Sequence, residues 1–109
     1  MKIGCQCGAI IYDQTDCIPH KAHFVPDQEW FNVLETIDNA IEESGPEEKD
    51  KEAACMRIRK LMGELSRLAW QCSVCGRVYI DDQDHKLREF VPGSEDVPKE
   101  LFRTQQNNA

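Results

Sequence analysis

The sequence predicts an α+β fold, a small antiparallel sheet with a two-helix antiparallel hairpin inserted between two cysteine pairs. Two short cysteine motifs, each ending in glycine and followed by a β-type run, lie on either side of the 64 residues from Gly8 to Gln71. Inside that stretch, apolar residues recur at helical spacing in two segments. We expect one domain over residues 1–109, divided into strands with cysteine pairs at 1–25 and 69–92, the hairpin at 26–68 and a tail at 93–109.

The first strand and the first helix are predicted from changes in periodicity. Residues 9–12, Ala-Ile-Ile-Tyr, form a β-type run directly after the first cysteine motif. A helix follows Pro26, with Asp27 as its N-cap and Glu29 favourably placed in its first turn. One face of this helix is apolar and carries Trp30, Val33, Leu34, Ile37, Ala40 and Ile41.

The second helix is predicted from about residue 46 to about residue 68. Gly45 suits the end of the first helix, and Pro46 suits the first position of the next. A short link favours an antiparallel hairpin, and neither helix would be stable alone in water. The apolar residues step by four, three, four and three along Ala54, Ile58, Leu61, Leu65 and Leu68.

Two further strands are predicted after the second cysteine motif. Residues 78–80 and 87–91 are β-type runs, and the polar stretch between them forms a turn. Beyond the last strand we expect one helical turn at 94–101 and a frayed end at 105–109. The strands therefore flank the helical hairpin on both sides in the sequence.

Charge is distributed unevenly along the chain. The formal net charge is −7, from 13 Lys and Arg against 20 Asp and Glu. Residues 27–52 hold ten acids against two lysines, which leaves −8 in that segment alone. Negative charge repels phosphate backbones, so the composition argues against nucleic acid as the main partner. Complementary fields favour instead a basic protein partner.

Six cysteines suit either a disulfide framework or metal and redox sites. The first residues contain no apolar run long enough for a signal peptide, so we expect a reducing compartment, the cytoplasm. There, close-spaced cysteines are more often metal ligands or redox pairs than disulfides. No stretch is apolar enough to span a membrane, and the oligomeric state is left open.

The cysteine motifs have the design of a tetrahedral thiolate site. Cys5 and Cys7 lie before one glycine, and Cys72 and Cys75 lie before another. Glycine at that place lets the backbone take a positive φ and turn back under a metal. Two thiolates in a tight turn can bind one ion, so the two motifs predict a single four-thiolate zinc site. Iron could occupy the same thiolates, and the spacing does not distinguish the two metals.

These motifs resemble a zinc ribbon of the rubredoxin-like kind, through Cys-x-Cys-Gly at 5–8 and Trp-x-Cys-x-x-Cys-Gly-Arg-x-Tyr at 70–79. The resemblance covers roughly a third of the chain and is informative about the fold more than about the function. The sequence departs from that pattern by having one residue instead of two inside the first motif, and by the inserted hairpin. The resemblance implies four ligands: Cys5, Cys7, Cys72 and Cys75.

The cysteine pairs have two other interpretations. The more specific of the two is a redox dithiol at Cys72 and Cys75, since Cys-x-x-Cys at a helix N-terminus lowers a thiol pKa. A strand follows this pair, which disfavours that role. Four small buried apolar residues are the other interpretation, which does not explain why both motifs end in glycine and lead into strands.

The loop at residues 17–23 carries further ligand-type side chains. Cys17, His20 and His23 are spaced by three, so a second metal site or an additional ligand is conceivable. We favour ordinary polar loop residues, because Pro19 makes the loop rigid. A Cys17 nucleophile with a histidine base would need a pocket and an oxyanion hole that the sequence does not indicate.

Other candidate residues have simpler structural interpretations. Cys55 lies near the apolar stripe of the second helix and is expected to be buried. Asp81, Asp82 and Asp84 lack the pattern of a calcium loop and are expected to form a solvated turn. Three basic residues near one face of the second helix could touch RNA but are interpreted as exposed surface: Arg57, Lys60 and Arg67.

The adjacent aromatics Trp30 and Phe31 cannot both point fully into one narrow stripe of the first helix. A half-exposed aromatic beside an acidic face is typical of a protein-binding surface, and packing of both aromatics against the ribbon is an equal alternative. The candidate partner-binding residues are Trp30, Phe31, Glu35, Asp38 and Glu42.

We therefore predict a non-catalytic zinc-binding protein that acts by protein–protein interaction. Its size, acidity and lack of a catalytic constellation resemble small bacterial immunity or antitoxin proteins, which implies neutralisation of a basic toxin. The alternatives are a nucleic-acid-associated zinc-ribbon regulator and an iron-binding rubredoxin-like electron carrier. An enzyme is the least favoured class, because each titratable cluster has a simpler structural account.

Overall fold

The computed structural model describes residues 1–82 and 84–104 and confirms the predicted α+β class. Three of the strands, β1, β3 and β4, were not predicted. In chain order the elements are β1 Lys2–Gly4, β2 Ile10–Tyr12, β3 Lys21–Phe24, α1 Asp27–Glu42, α2 Glu48–Leu65, β4 Arg67–Gln71, β5 Val78–Asp81 and β6 Leu87–Phe90.

The strands form two antiparallel sheets. β1 pairs with β2, and Ile3 lies opposite Ile11. The second sheet has the order β3-β4-β5-β6, with Trp70 of β4 opposite Tyr79 of β5. Since side chains alternate across a strand, Ile3 and Ile11 are buried while their neighbours in both strands are exposed.

The chain divides into two compact units. We call Met1–His23 with Arg67–Ala109 the sheet unit, and Phe24–Ser66 the helical unit. The core of the sheet unit surrounds the cysteine pairs, so packing and any metal chemistry share one place. This core consists of Ile3, Cys5, Ile11, Trp70, Cys72 and Tyr79.

The start of α1 differs from the prediction by one residue. Pro26 occupies the N-cap position, with φ −58° and ψ 144°, and no side chain caps the helix. Proline fixes φ in this range, so the helix can begin directly after it. The prediction that Asp27 is the N-cap was wrong: Asp27 is the first helical residue, where with Glu29 it still lies favourably in the first turn.

α2 is shorter than predicted at both ends. It begins at Glu48 instead of Pro46, because Glu47 and Asp50 form a reciprocal capping box. Gly45 does not end α1 with a positive φ; it leaves room for the Asp50 carboxylate, with which a Cβ would collide. α2 ends at Leu65 because the residues after Ser66 pair with β5 as strand β4.

The helical unit buries little of its surface. Val33 and Ala40 are buried on α1, whereas no residue of α2 is. Cys55 is exposed, so its predicted burial was wrong: successive residues of a helix are rotated by about 100°, which turns Cys55 away from the stripe that contains Ala54. Within the described ranges, no helix is long and apolar enough to cross a membrane.

The segment after β6 was also predicted incorrectly. Residues 94–101 form bends and a turn instead of a helical turn, and the side chain of Gln71 holds their backbone. The predicted frayed end at 105–109 lies outside the described residues.

Candidate metal centre

The four cysteines of the two motifs come together in the sheet unit. The Sγ atoms of Cys5, Cys7, Cys72 and Cys75 all lie within 4.8 Å of one another. Between opposite motifs, the Sγ atoms lie 3.5 Å apart for Cys5 and Cys75 and 3.7 Å apart for Cys7 and Cys72. The predicted convergence of the four thiols is therefore present.

This sulfur arrangement fits a single tetrahedral metal ion. A zinc–thiolate bond is about 2.3 Å long, so the sulfur atoms of a regular tetrahedron lie about 3.8 Å apart. A disulfide needs a sulfur–sulfur distance of about 2.0 Å, and all four cysteines are free. The four cysteines could hold a metal ion without rearranging their backbones.

The first knuckle, residues 5–8, is closed by two backbone hydrogen bonds. The Cys5 N–H donates to the carbonyl of Ala9 at 2.9 Å, and the Gly8 N–H donates to the carbonyl of Cys5 at 3.0 Å. Gly8 has φ +97°, as its place in the turn requires. The single residue between Cys5 and Cys7 therefore still allows a closed turn.

The second knuckle, residues 72–76, closes in the same manner with one more residue. The Cys72 N–H donates to the carbonyl of Arg77, and the Gly76 N–H donates to the carbonyl of Cys72, both at 2.9 Å. Gly76 has φ +85°. The predicted role of glycine at the end of both knuckles is confirmed.

The thiols of Cys75 and Cys7 have opposite pKa shifts. Burial raises the pKa of Cys75, but hydrogen bonds from the backbone and guanidinium of Arg77 outweigh it and lower the pKa from 9.0 to about 6. At Cys7 a hydrogen bond from the Ala9 backbone lowers the pKa, but desolvation and the other three sulfur atoms outweigh it and raise the pKa to about 11. Arg77 thus favours the thiolate form of Cys75.

Two side chains outside the ligand set, Arg77 and Tyr79, lie beside the cysteine pairs. The Arg77 Nε lies 3.0 Å from a carboxylate oxygen of Glu89, which orients the guanidinium that faces Cys75. The Tyr79 hydroxyl accepts the N–H of Gln6 at 3.2 Å. Burial, together with a hydrogen bond to Cys5, raises the pKa of Tyr79 to about 12, so the hydroxyl stays neutral and able to donate to sulfur.

A polar trio joins the strands that flank the knuckles, with Trp70 buried and Asp13 and Lys21 half-buried. The Trp70 Nε1–H donates to Asp13 Oδ2 at 3.0 Å, and Lys21 Nζ lies 2.8 Å from the same oxygen. Lys21 also lies over the Trp70 ring, 5.9 Å from its centroid. Asp13 follows β2 and Trp70 precedes the second knuckle, so this trio ties the two halves of the site together.

The loop residues proposed for a second metal site do not gather into one. His20 Nε2 lies 2.7 Å from the carbonyl of Tyr12, while Cys17 and His23 are exposed. In the described part of the chain, the four knuckle cysteines form the only group of three or more possible ligands. His20 is therefore a polar loop residue, as we favoured.

Asp82 and Asp84 lie in the turn between β5 and β6, as predicted, whereas Asp81 belongs to β5, so its predicted place in the turn was wrong. The Asp82 carboxylate accepts the N–H groups of Asp84 and Lys86 at 2.8 and 3.1 Å, and the Nε of Arg88 at 2.6 Å. These three donors lower the pKa of Asp82 to about 2, with Arg88 contributing most. The carboxylate is engaged in closing the turn.

The aromatic and basic candidates of the helical unit lie at its surface. Trp30 is 48% exposed and Phe31 is 78% exposed, so neither aromatic is buried. Arg57 forms a 2.9 Å ion pair with Glu43. Arg67 belongs to β4 and not to α2, so the predicted basic face of the second helix was also wrong.

Sequence reasoning missed the residues that support the site from outside. Arg77 and Tyr79 stand inside the second cysteine motif, and their spacing from Cys75 was the available signal. Asp13 and Lys21 gave no signal, because their contact with Trp70 depends on how distant strands pack.

The comparisons with known proteins point to one family. The model of the family described as Domain of unknown function (DUF8617) matches residues 1–101. The comparisons with curated proteins and with solved structures found no match. The matched range contains both knuckles and every helix and strand named above. The chain therefore belongs to the family described as Domain of unknown function (DUF8617).

Proposed function

We propose that this chain is a non-catalytic zinc protein whose metal staples the sheet unit and whose helical unit binds another protein. The observation that carries the first half is the four-sulfur cluster, with all Sγ atoms within 4.8 Å of one another. Four protein thiolates complete a tetrahedron, which leaves no open position for a water or a substrate. Such closed sites are structural, so we assign the metal to stability and not to chemistry.

Zinc is proposed over iron because closed four-cysteine sites in small domains most often hold zinc. The core supports a structural role, since Cys5 and Cys72 are themselves core residues beside Trp70 and Tyr79. Binding free energy at such a site is folding free energy. Metal removal is therefore expected to unfold the sheet unit.

Metal content tests this half directly. Protein purified without added metal should contain one zinc per chain and no visible absorption band; a coloured protein would indicate an iron centre. Changing Cys72 and Cys75 to serine should remove the metal and the folded near-UV signal of Trp70. The matched control changes the exposed cysteines Cys17 and Cys55 to serine, which should leave one metal per chain. A metal-free wild-type protein would refute the proposal.

The second half of the proposal, protein binding, rests on exposed side chains of α1. Phe31 and Ile41 are large apolar residues, and 78% and 60% of their surfaces are exposed. Exposed apolar side chains that lie together are typical of protein-binding surfaces. Glu35, Asp38 and Glu42 are exposed, and within residues 1–82 and 84–104 they form no salt bridge. Apolar side chains beside unpaired acids suit a basic protein partner.

A pull-down from the source cells tests for such a partner. We expect a basic protein to be retained by the wild type and lost by the variant Glu35→Gln, Asp38→Asn, Glu42→Gln with unchanged metal content. Retention of no basic protein would count against this half. Filter binding to RNA and DNA at low salt discriminates the nucleic-acid alternative, which predicts retention that falls steeply with added salt.

The narrowest form of the proposal is an immunity protein that neutralises a basic toxin by covering its active site. Small size and acidity are its support. The test is whether the retained basic protein has an activity that this chain inhibits at one-to-one stoichiometry. An active complex would refute the immunity form and leave the general protein-binding proposal standing.

A further inference from the structure

One buried side chain fastens the segment after β6 to the sheet unit. Gln71 is 1% exposed, and its amide makes three hydrogen bonds to backbone groups. The Nε2 donates to the carbonyls of Pro98 at 2.9 Å and Gly76 at 3.3 Å. The Oε1 accepts the N–H of Leu101 at 2.8 Å. A single glutamine thus joins the second knuckle to residues 92–104, which we call the docking segment.

The docking segment also packs against the knuckle glycine. A Cβ on Gly76 would lie 3.0 Å from Val97 Cγ2 and 3.4 Å from Pro92 Cγ. Gly76 directly follows Cys75 and has φ +85°. The segment therefore contacts the backbone that sets the position of the Cys75 sulfur.

A cleft beside Cys75 is walled in part by the same segment. Its volume is about 490 Å³, and Ser94, Glu95 and Lys99 of the docking segment line one part of it. Cys75 and Arg77 line the other part. A chelator that enters this cleft meets Cys75 and the docking segment together.

The docking segment is held mainly by side chains. Residues 91–100 form no helix or strand, and the backbone bond from Arg103 N–H to the Glu100 carbonyl is local to the segment. Segments with few backbone ties to the rest of a fold open at low free energy. Release would leave the buried amide of Gln71 without two of its partners, which penalises the open state.

We propose that docking of this segment on Gln71 and retention of the metal at the second knuckle are thermodynamically coupled. The inference rests on the proposed metal site. A bound ion fixes the loop from Cys72 to Cys75 and with it the Gly76 carbonyl that Gln71 contacts. The docked segment in turn holds Gly76 and shields Cys75. Coupling of this kind is reciprocal, so each event favours the other by the same factor.

The test compares two substitutions at one exposed position in the zinc-loaded full chain. Leu101→Pro removes the N–H that Gln71 accepts, whereas Leu101→Ala keeps it, and the wild-type Leu101 side chain is 57% exposed. In equilibrium competition with a chromogenic chelator, we expect the proline variant to bind zinc at least about fivefold more weakly than the alanine variant. Tryptic cleavage after Lys99 should accelerate in parallel.

Equal zinc affinities of the two variants would overturn the inference, as would unchanged cleavage after Lys99 in the proline variant. Gln71→Glu provides a second variant, because it replaces the two donated hydrogen bonds by repulsion from the carbonyls of Pro98 and Gly76. If that variant does not fold, the comparison of Leu101→Pro with Leu101→Ala still tests the coupling. Zinc in the wild type with equal zinc affinities in the two Leu101 variants refutes only the coupling, whereas a wild type without metal refutes the proposed function.

Discussion

The two knuckles share a backbone design but differ in their surroundings. In each, a cysteine N–H and a glycine N–H close the turn, and the glycine has a positive φ. Cys5 and its counterpart Cys72 are both buried, whereas Cys7 is exposed and its counterpart Cys75 is half-buried. A Cβ on Gly8 would meet nothing within 4 Å, but Gly76 of the second knuckle is crowded by the docking segment.

This difference separates the local geometry of a knuckle from the free-energy cost of a substitution in it. The closing hydrogen bonds depend on the cysteine and glycine spacing, which both knuckles provide. The cost of a substitution depends on what packs around the turn, and there the second knuckle is embedded between β4, β5 and the docking segment. We therefore expect equivalent changes to be more damaging in the second knuckle than in the first.

The largest expected difference is between Cys72→Ser and Cys7→Ser. Cys72→Ser removes a ligand and places a hydroxyl in the core, so we expect loss of the metal and unfolding of the sheet unit. At the exposed Cys7 position, water can complete the coordination sphere. That variant should keep zinc with an affinity lowered about 100-fold or more. Zinc-to-protein ratios measure the metal content of the two variants, and near-UV circular dichroism measures their folding. Equal losses in the two variants would contradict the expected difference between Cys72 and Cys7.

The glycines give the next largest difference. Gly76→Ala combines an unfavourable positive φ with the contact to Val97, so we expect a loss of about 2–4 kcal/mol in unfolding free energy. Gly8→Ala has only the backbone term, about 1–2 kcal/mol. Denaturant unfolding of the metal-loaded proteins gives both values. A loss in Gly8→Ala as large as in Gly76→Ala would show that the docking segment does not resist the added methyl group.

The link between the two halves of the site is tested by Asp13→Ala. This change leaves the indole N–H of the buried Trp70 without its acceptor and removes the Lys21 ion pair, so we expect a loss of about 1.5–3 kcal/mol at neutral pH. Asp13→Asn keeps an acceptor and should lose less. Double-mutant analysis with Trp70→Phe isolates the hydrogen bond, and a coupling energy near zero would contradict the assignment.

The same carboxylate predicts a pH dependence. Lys21 lowers the pKa of Asp13, with burial opposing it and Trp70 adding to the lowering. A folded-state pKa below the unfolded value means that the stabilisation is complete above the unfolded pKa of about 3.9 and is lost as the pH falls through the folded pKa. The stability difference between wild type and Asp13→Ala should therefore shrink in acid. Protonation of the thiolates affects both proteins and cancels in the difference.

The smallest effect is expected in the hairpin that follows the second knuckle. The pKa of Asp82 is about 2 because Arg88 and two backbone N–H groups stabilise its charge, so its contribution is present above 3.8 and lost as the pH falls through about 2. Between pH 7 and about pH 3.5 the Cγ chemical shift of Asp82 should stay nearly constant, whereas in Arg88→Gln it should begin to titrate within that range. An identical titration in both proteins would exclude the ion pair as the cause.

The knuckles show how far the sequence predicts the site. Cysteine and glycine spacing act over a few residues, so both turns and their convergence could be predicted. The end of α2 could not, because Leu68 continues the helical spacing while its burial against the sheet-unit core and the pairing of β4 with β5 make it a strand residue. At that position, contacts between distant segments of the chain override the local helical pattern.

Gln71 is a residue whose burial could not be predicted from the sequence. In a strand, its side chain points away from the face that holds Trp70 and Cys72, which suggests an exposed position. It is buried because the docking segment covers that second face, and this segment has no regular secondary structure to predict. A polar residue between two core residues of a strand was the only available hint.

The separation of the knuckles in the sequence also affects how the site is assembled during synthesis. At about 5–20 residues per second, the 64 residues from Gly8 to Gln71 take about 3–13 seconds to translate. During that interval Cys5 and Cys7 are a pair of thiols without their counterparts. The nascent chain then carries an open dithiol that soft metals and oxidants can reach. Correct metal loading therefore depends on events late in translation.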